Sequence, residues 1–201
     1  MKKLTYVTGN YGKYISVKET FEKEGIQIDF FTCDLDEPDV NDISIISREK
    51  AKEAYEKLES PVFVADSGFY IEDYPNNPGY PGAFVKRSGV SSNIDNLLEI
   101  MKDVSNRNCY FLDCLTFYDG DNYYQFYETS KGTLSYEKKG HANKKAKSNL
   151  WYVFIPENYK KTLTEMTDEE RNERSKNHIS ATKKFLDWYK NEYLRIKRLT
   201  K

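Results

Sequence analysis

Apolar residues along the chain come in short runs and in helical spacings, and the exchange between the two patterns sets the order of elements. Residues 3–8 read as a strand that stops at Gly9-Asn10, and over 15–24 Ile15, Val17 and Phe21 recur among charges as on an amphipathic helix. Gly25 closes that helix as its C′ residue, and 26–32, rich in aromatic and β-branched side chains, predicts a second strand. The run Asp34-Leu-Asp-Glu-Pro-Asp-Val-Asn-Asp is too acidic and turn-prone for core. A helical pattern resumes over 43–59, with Asn41, Asp42 or Ser44 available as its cap, and 61–65 predicts a buried strand.

Strands separated by helices of this length need crossover connections, so the first third predicts an α/β fold with a partly parallel sheet. Ligands on such sheets gather at the carboxyl ends of the strands, where Thr8-Gly9-Asn10 and Asp66-Ser67-Gly68 are expected to lie. After a Pro/Gly-rich loop over 75–89 comes a helix near 94–102. Strands over 109–118 and 123–131 then form a hairpin across Asp119-Gly120-Asp121-Asn122, and a further strand over 133–137 follows Gly132. The last part reads as helix, amphipathic over 177–198 through Ile179, Phe185, Trp188, Tyr189 and Leu194. No repeat, low-complexity tract or linker interrupts the chain, which predicts one domain over 1–201.

Composition narrows the function classes. The chain carries 17 Tyr, 11 Phe and 2 Trp at a mean hydropathy of -0.81, so aromatic rings are expected to supply core that aliphatic residues do not. Lys+Arg 31 against Asp+Glu 32 leaves a net charge of -1, so no global field draws the chain to nucleic acid or an anionic membrane, and no stable partner of either kind is expected. No apolar stretch has the length of a membrane span and no leader is legible, which predicts a cytoplasmic protein. Cys33, Cys109 and Cys114 form no C-x-x-C pair and read as reduced and structural. With His141 and His178 alone, a metal would be a hard, oxygen-ligated ion such as Mg²⁺.

Several segments carry candidate chemistry, each beside a plainer reading. Thr8-Gly9-Asn10-Tyr11-Gly12-Lys13 joins a strand to a helix; its amides, the helix dipole and the Lys13 charge suit a phosphate, yet such turns are ordinary and the Walker spacing is absent. Asp66 follows an apolar strand, where a carboxylate wants a cation, although Asp-Ser-Gly is also a good turn. Glu37 lies either in a solvated loop or, converging with Asp66, on one Mg²⁺. The stiff loop around Tyr80-Pro81-Gly82 delivers Lys86 and Arg87. Basic runs at Lys138, Lys139, Lys144, Lys145 and Lys147, and at Arg195, Lys197, Arg198 and Lys201, read as solvated surface.

In order along the chain, Thr8-Gly9-Asn10-x-x-Lys13, Asp34-Leu-Asp-Glu37, Lys50-Ala51, Val-Ala-Asp66-Ser-Gly68 and Tyr80-Pro-Gly-Ala-Phe-Val-Lys86 resemble the inosine triphosphate pyrophosphatase, or Ham1-like, family. Lys131-Gly132, Phe154-Ile-Pro156 and Lys176 continue the likeness over nearly the whole chain. The resemblance implies an elongated mixed β-sheet flanked by helices, two lobes around a central cleft, a homodimer, and Mg²⁺-dependent hydrolysis of a nucleoside triphosphate to monophosphate and pyrophosphate. It further implies that Thr8, Asn10, Lys13, Lys50, Lys86 and Lys176 bind phosphate, that Glu37 and Asp66 hold Mg²⁺, and that Asp66 and Lys13 are catalytic. Attack at phosphorus needs charge neutralisation and in-line placement, which carboxylates, lysines and one divalent ion provide without a histidine base.

Three departures stand out. Ala65 replaces the Glu that usually precedes the strand-end Asp. The aromatic-Asp-Pro segment lining the family's base pocket is replaced by Ser148-Asn149-Leu150-Trp151-Tyr152, and its Ser-His-Arg base reader by Ser180-Ala181-Thr182. Trp151 and Tyr152 either stack on a base or belong to the sheet core, and His178 either replaces the lost histidine or is an exposed helix residue. Losing buried hydrogen-bonding readers should relax or redirect base selectivity. The leading expectation is a pyrophosphatase for a non-canonical or modified purine triphosphate; cleavage of another nucleotide phosphoanhydride, or nucleotide sensing without turnover, are the alternatives.

Overall fold

The computed structural model describes residues 4–142, 146, 148–176 and 178–199. The expectations for positions 3, 144, 145, 147, 177 and 201 lie outside the described residues. Strands β1 (Leu4–Val7), β2 (Ile28–Phe31), β3 (Val62–Ile71), β4 (Pro81–Gly82), β5 (Asn108–Tyr118), β6 (Tyr123–Leu134) and β7 (Phe154–Pro156) make a mixed sheet in the order β2-β1-β3-β5-β6-β7, with β4 also pairing β3. Helices α1 (Tyr11–Glu22), α2 (Ile43–Leu58), α3 (Ile94–Ile100), α4 (Asp168–Lys176), α5 (Ala181–Trp188) and α6 (Leu194–Leu199) flank it, α5 and α6 being joined by a π turn at Tyr189–Tyr193. β1 runs parallel to β2 and to the start of β3, with Tyr6 opposite Phe30 and Phe63, as crossovers through α1 and α2 require.

The chain divides into two compact units. The first comprises the residues up to Asp66, Asp113–Glu128 and those from Ile179 on; the second comprises Ser67–Leu112 and Thr129–His178. In the first, the aromatic substitution for aliphatic core is plain: the Phe185 ring lies 5.1 Å from Phe63, 5.4 Å from Phe117 and 5.9 Å from Phe21, all four fully buried. Burying each such ring contributes about 1.5–3 kcal/mol. The second unit packs Phe69, Ile71, Leu97, Met101, Leu150 and Phe154 into a separate core.

Three expectations are corrected. The strand expected to end at 65 continues as β3 to Ile71, so Asp66-Ser67-Gly68 is not a turn but mid-strand. Gly68 is there for close approach: a Cβ at that position would sit 3.1 Å from the Gly82 carbonyl of the antiparallel β4 and 2.7 Å from the Tyr70 ring. The break expected at Gly132 is likewise absent, and β6 runs through it to Leu134 because a side chain there would strike the Ile155 carbonyl of β7. Helix α1 begins at Tyr11 rather than 15, since Asn10 caps it, and α4, which buries none of its residues, has no apolar face to announce it. α4 is held instead by Arg171, which donates to the carbonyls of Leu163 and Met166 and pairs with Asp168.

Candidate phosphate and metal site

The phosphate-loop candidate is built by capping. Asn10 has extended backbone (φ -106°, ψ 101°) and its Oδ1 accepts the Lys13 amide at 3.0 Å, while Thr8 Oγ1 accepts the Asn10 amide at 3.1 Å. The first turn of α1 carries no acidic residue of its own to offset the positive end of the helix. Beneath the loop lies the Tyr6 phenol, which burial pushes far above its ordinary value against the opposing effect of a hydrogen bond with Thr8.

Glu37, Lys50 and Asp66 form the second half of the site. Lys50 Nζ donates to Glu37 Oε1 at 2.6 Å and to Asp66 Oδ1 at 2.7 Å. Burial alone would depress the Lys50 ammonium, yet Asp66 foremost and Glu37 after it hold it above its ordinary value. Asp66 Oδ2 is buried and has no hydrogen-bond partner among the described residues. Sequence reasoning placed Lys50 on a phosphate and missed this pairing with the two carboxylates.

Two supports fix the cluster. The acidic segment carrying Glu37 is fastened to α2: Glu53 Oε2 accepts the Asp36 amide at 2.8 Å, and Lys57 Nζ reaches the Asp34 carbonyl at 3.0 Å while pairing with Glu53 at 2.5 Å. Beneath α2, Thr116 Oγ1 donates to Ser47 Oγ at 2.7 Å and accepts from Gln125 Nε2 at 3.0 Å. Gln125 also donates to the Ser44 carbonyl at 2.9 Å and accepts from the Tyr127 hydroxyl at 3.0 Å. Glu53 and Lys57, at i,i+4 spacing, were the legible signal; the Thr116 network had none.

The donor set suits a hard divalent ion. Both carboxylates offer oxygen, and the orphaned Asp66 Oδ2 is an unsatisfied buried acceptor of the kind a cation resolves. No group of three or more His, Cys, Asp or Glu gathers at a metal-holding spacing among the described residues, so water and phosphate oxygens would complete the shell.

The remaining candidates lie in the second unit. Lys86 is exposed in the turns after β4, and Lys176 is exposed at the end of α4. Trp151 and Tyr152 are half-buried in a 3₁₀ turn, Asn149–Tyr152, that Ser148 caps, and Trp151 packs against that unit's core. His178 stands half-buried in the bend before α5, so the expectation of an exposed helix residue there is corrected; Ser180 Oγ takes the capping role by accepting the Lys183 amide at 3.1 Å.

The model of the Ham1 family matches residues 4–188. The chain belongs to that family. Among its relatives, the dITP/XTP pyrophosphatase of Saccharolobus solfataricus is 31% identical over 190 residues, covering 92% of this chain and 93% of the other. That of Pyrococcus horikoshii is 29% identical over 198 residues, covering 94% and 97%. Solved Ham1 structures share the fold: the Staphylococcus aureus Ham1 protein superposes with a TM-score of 0.73 at 19% identity, covering 92% of this chain and 98% of that one. The HAM1 protein of Coxiella burnetii gives 0.74 at 18%, covering 93% and 95%. Within this Ham1 chain, the capped loop at Thr8–Lys13 and the Glu37–Lys50–Asp66 cluster belong to the first unit.

Proposed function

We propose that this Ham1-family protein is a Mg²⁺-dependent nucleoside triphosphate pyrophosphatase, releasing monophosphate and pyrophosphate from a non-canonical or modified purine triphosphate. The observation that carries the reading is the gathering of Lys13, Lys50, Glu37 and Asp66 in one unit, beside the N-terminus of α1, with a buried carboxylate oxygen left unsatisfied. The names of its relatives supply the substrate class.

In this reading the α1 amides, Asn10 and Lys13 hold the polyphosphate, and Lys50 turns to it. Glu37 and Asp66 hold the Mg²⁺, which when bound neutralises phosphate charge and orients the chain of phosphates. Asp66 also polarises the attacking water. We assign Lys86 and Lys176 to phosphate, as the family resemblance implies, and Trp151, Tyr152 and His178 to the base. We take residues 1–201 as one catalytic domain that works as a cytoplasmic homodimer; among the described residues no helix is long and apolar enough to cross a membrane.

Incubating the protein with Mg²⁺ and a panel of canonical, deaminated and otherwise modified NTPs and dNTPs, with pyrophosphate as the readout, tests the proposal. Turnover of at least one deaminated or modified purine triphosphate is expected, with weaker discrimination against ATP and GTP than buried base readers would impose. The altered base region and Ala65 favour a second reading, nucleotide sensing without turnover. Thermal stabilisation by a triphosphate with no product would replace the first reading by that one.

A further inference from the structure

Lys50 does more in this structure than wait for a substrate. Its ammonium is shared by two carboxylates from different elements, at 2.6 Å and 2.7 Å, with side-chain exposures of 14% for Lys50, 32% for Glu37 and 17% for Asp66. These are the same two groups read above as the metal ligands. We propose that Lys50 is a resident cation: it occupies the metal-binding carboxylates in the nucleotide-free protein and yields them only when a polyphosphate offers its ammonium new acceptors. This rests on the reading of Glu37 and Asp66 as Mg²⁺ ligands.

The argument is one of charge. Two carboxylates attract a divalent ion strongly, but with the ammonium between them the net local charge is halved and an entering ion meets a like charge at close range. A purely structural ion pair would be expected to satisfy the buried carboxylate fully, yet only Oδ1 of Asp66 is bonded and Oδ2 has no partner among the described residues. A triphosphate changes the balance, because it brings several negative charges and many acceptor oxygens near the capped loop, to which Lys50 can turn. Metal and nucleotide affinities are then linked, each raising the other by the same factor. The consequence is a protein that binds free divalent ions weakly and takes its metal more readily together with the nucleotide.

The test measures Mn²⁺ binding to the full, nucleotide-free chain by calorimetry and by the EPR signal of unbound Mn²⁺. Lys50→Met and Lys50→Gln are expected to bind Mn²⁺ on the order of tenfold tighter than wild type, the lower part of the range of site couplings. Without metal their unfolding midpoints should fall below wild type, since two facing carboxylates lose their cation, and Mn²⁺ should raise those midpoints more than it raises that of wild type. Lys50→Arg, which keeps the charge, should behave as wild type. Equal Mn²⁺ affinity in wild type and both neutral variants, while Asp66→Asn still weakens binding, would overturn the role of Lys50 and leave the metal ligands standing. Mn²⁺ binding that Asp66→Asn and Glu37→Gln leave unchanged would instead remove the ligand reading, and this inference with it.

Discussion

Lys13 Nζ donates to the Ala65 carbonyl at 3.5 Å, which ties the first turn of α1 to the strand residue immediately before Asp66. The acceptor is backbone, so the bond does not depend on which side chain stands at 65. Ala65 therefore departs from the family pattern without costing the link between the phosphate loop and the candidate metal strand. Asp66→Asn and Lys13→Ala are each expected to lower pyrophosphate release by roughly 10²-fold or more, the scale of losing one positioned charge at a phosphoryl-transfer centre. Circular dichroism and an unfolding midpoint close to wild type should accompany that loss; activity within a few-fold of wild type in either variant would contradict the assignment.

Asp42 caps α2, the helix that carries Lys50: its Oδ1 accepts the Ser44 amide at 2.8 Å, the Ser44 hydroxyl at 2.7 Å and the Ile45 amide at 3.3 Å. The Ser44 hydroxyl foremost, helped by both amides against slight burial, holds the Asp42 carboxyl below its usual 3.8. A carboxyl depressed by folding adds stability that is complete above the unfolded value and is lost as the pH falls through the folded one. Asp42→Ala should thus cost about 0.5–2 kcal/mol at neutral pH. Urea titrations should show the gap between variant and wild type narrowing below about pH 4.

Thr116→Val removes the hydroxyl at the centre of the network under α2. It is fully buried, accepts from Gln125 and donates to Ser47, so the valine leaves both partners short of a bond. A loss of about 1–3 kcal/mol is expected in urea unfolding. Thr116→Ser, which keeps the hydroxyl, should recover more than half of it.

Gly132→Ala tests the backbone approach between β6 and β7. The added Cβ would collide with the Ile155 carbonyl and stand 2.7 Å from the Phe154 ring. Backbone rather than a pliable side chain is in the way, so a destabilisation of about 1–3 kcal/mol is expected, read from the unfolding midpoint.

The α/β order of the first unit was legible because each strand there is a short apolar run and α1 and α2 keep helical spacing through Val17 and Phe21, and through Ile43, Ile46 and Ala54. Glycine read as punctuation held at Gly9 and Gly120 and failed at two other positions. Gly68 and Gly132 are strand residues whose missing side chains admit a neighbouring backbone, a reason that no single segment displays. Thr8, Asn10 and Lys13 were legible as polar residues where a strand meets a helix, Glu37 as part of an acidic segment, and Asp66 as a carboxylate following an apolar run, although it lies within β3 rather than at its end. The Lys50 bridge was not, because it joins residues 13 and 16 positions away through the fold, and nothing local distinguishes Lys50 from other helical lysines.

Hydrolysis of the preferred triphosphate in H₂¹⁸O tests the central claim most directly, since it locates the phosphorus that water attacks. Attack at the α-phosphorus puts the label in the nucleoside monophosphate and leaves the pyrophosphate unlabelled, and mass spectrometry of wild-type products, absent with Asp66→Asn, should show that pattern. Label in the pyrophosphate, or release of inorganic phosphate and a nucleoside diphosphate, would contradict the account.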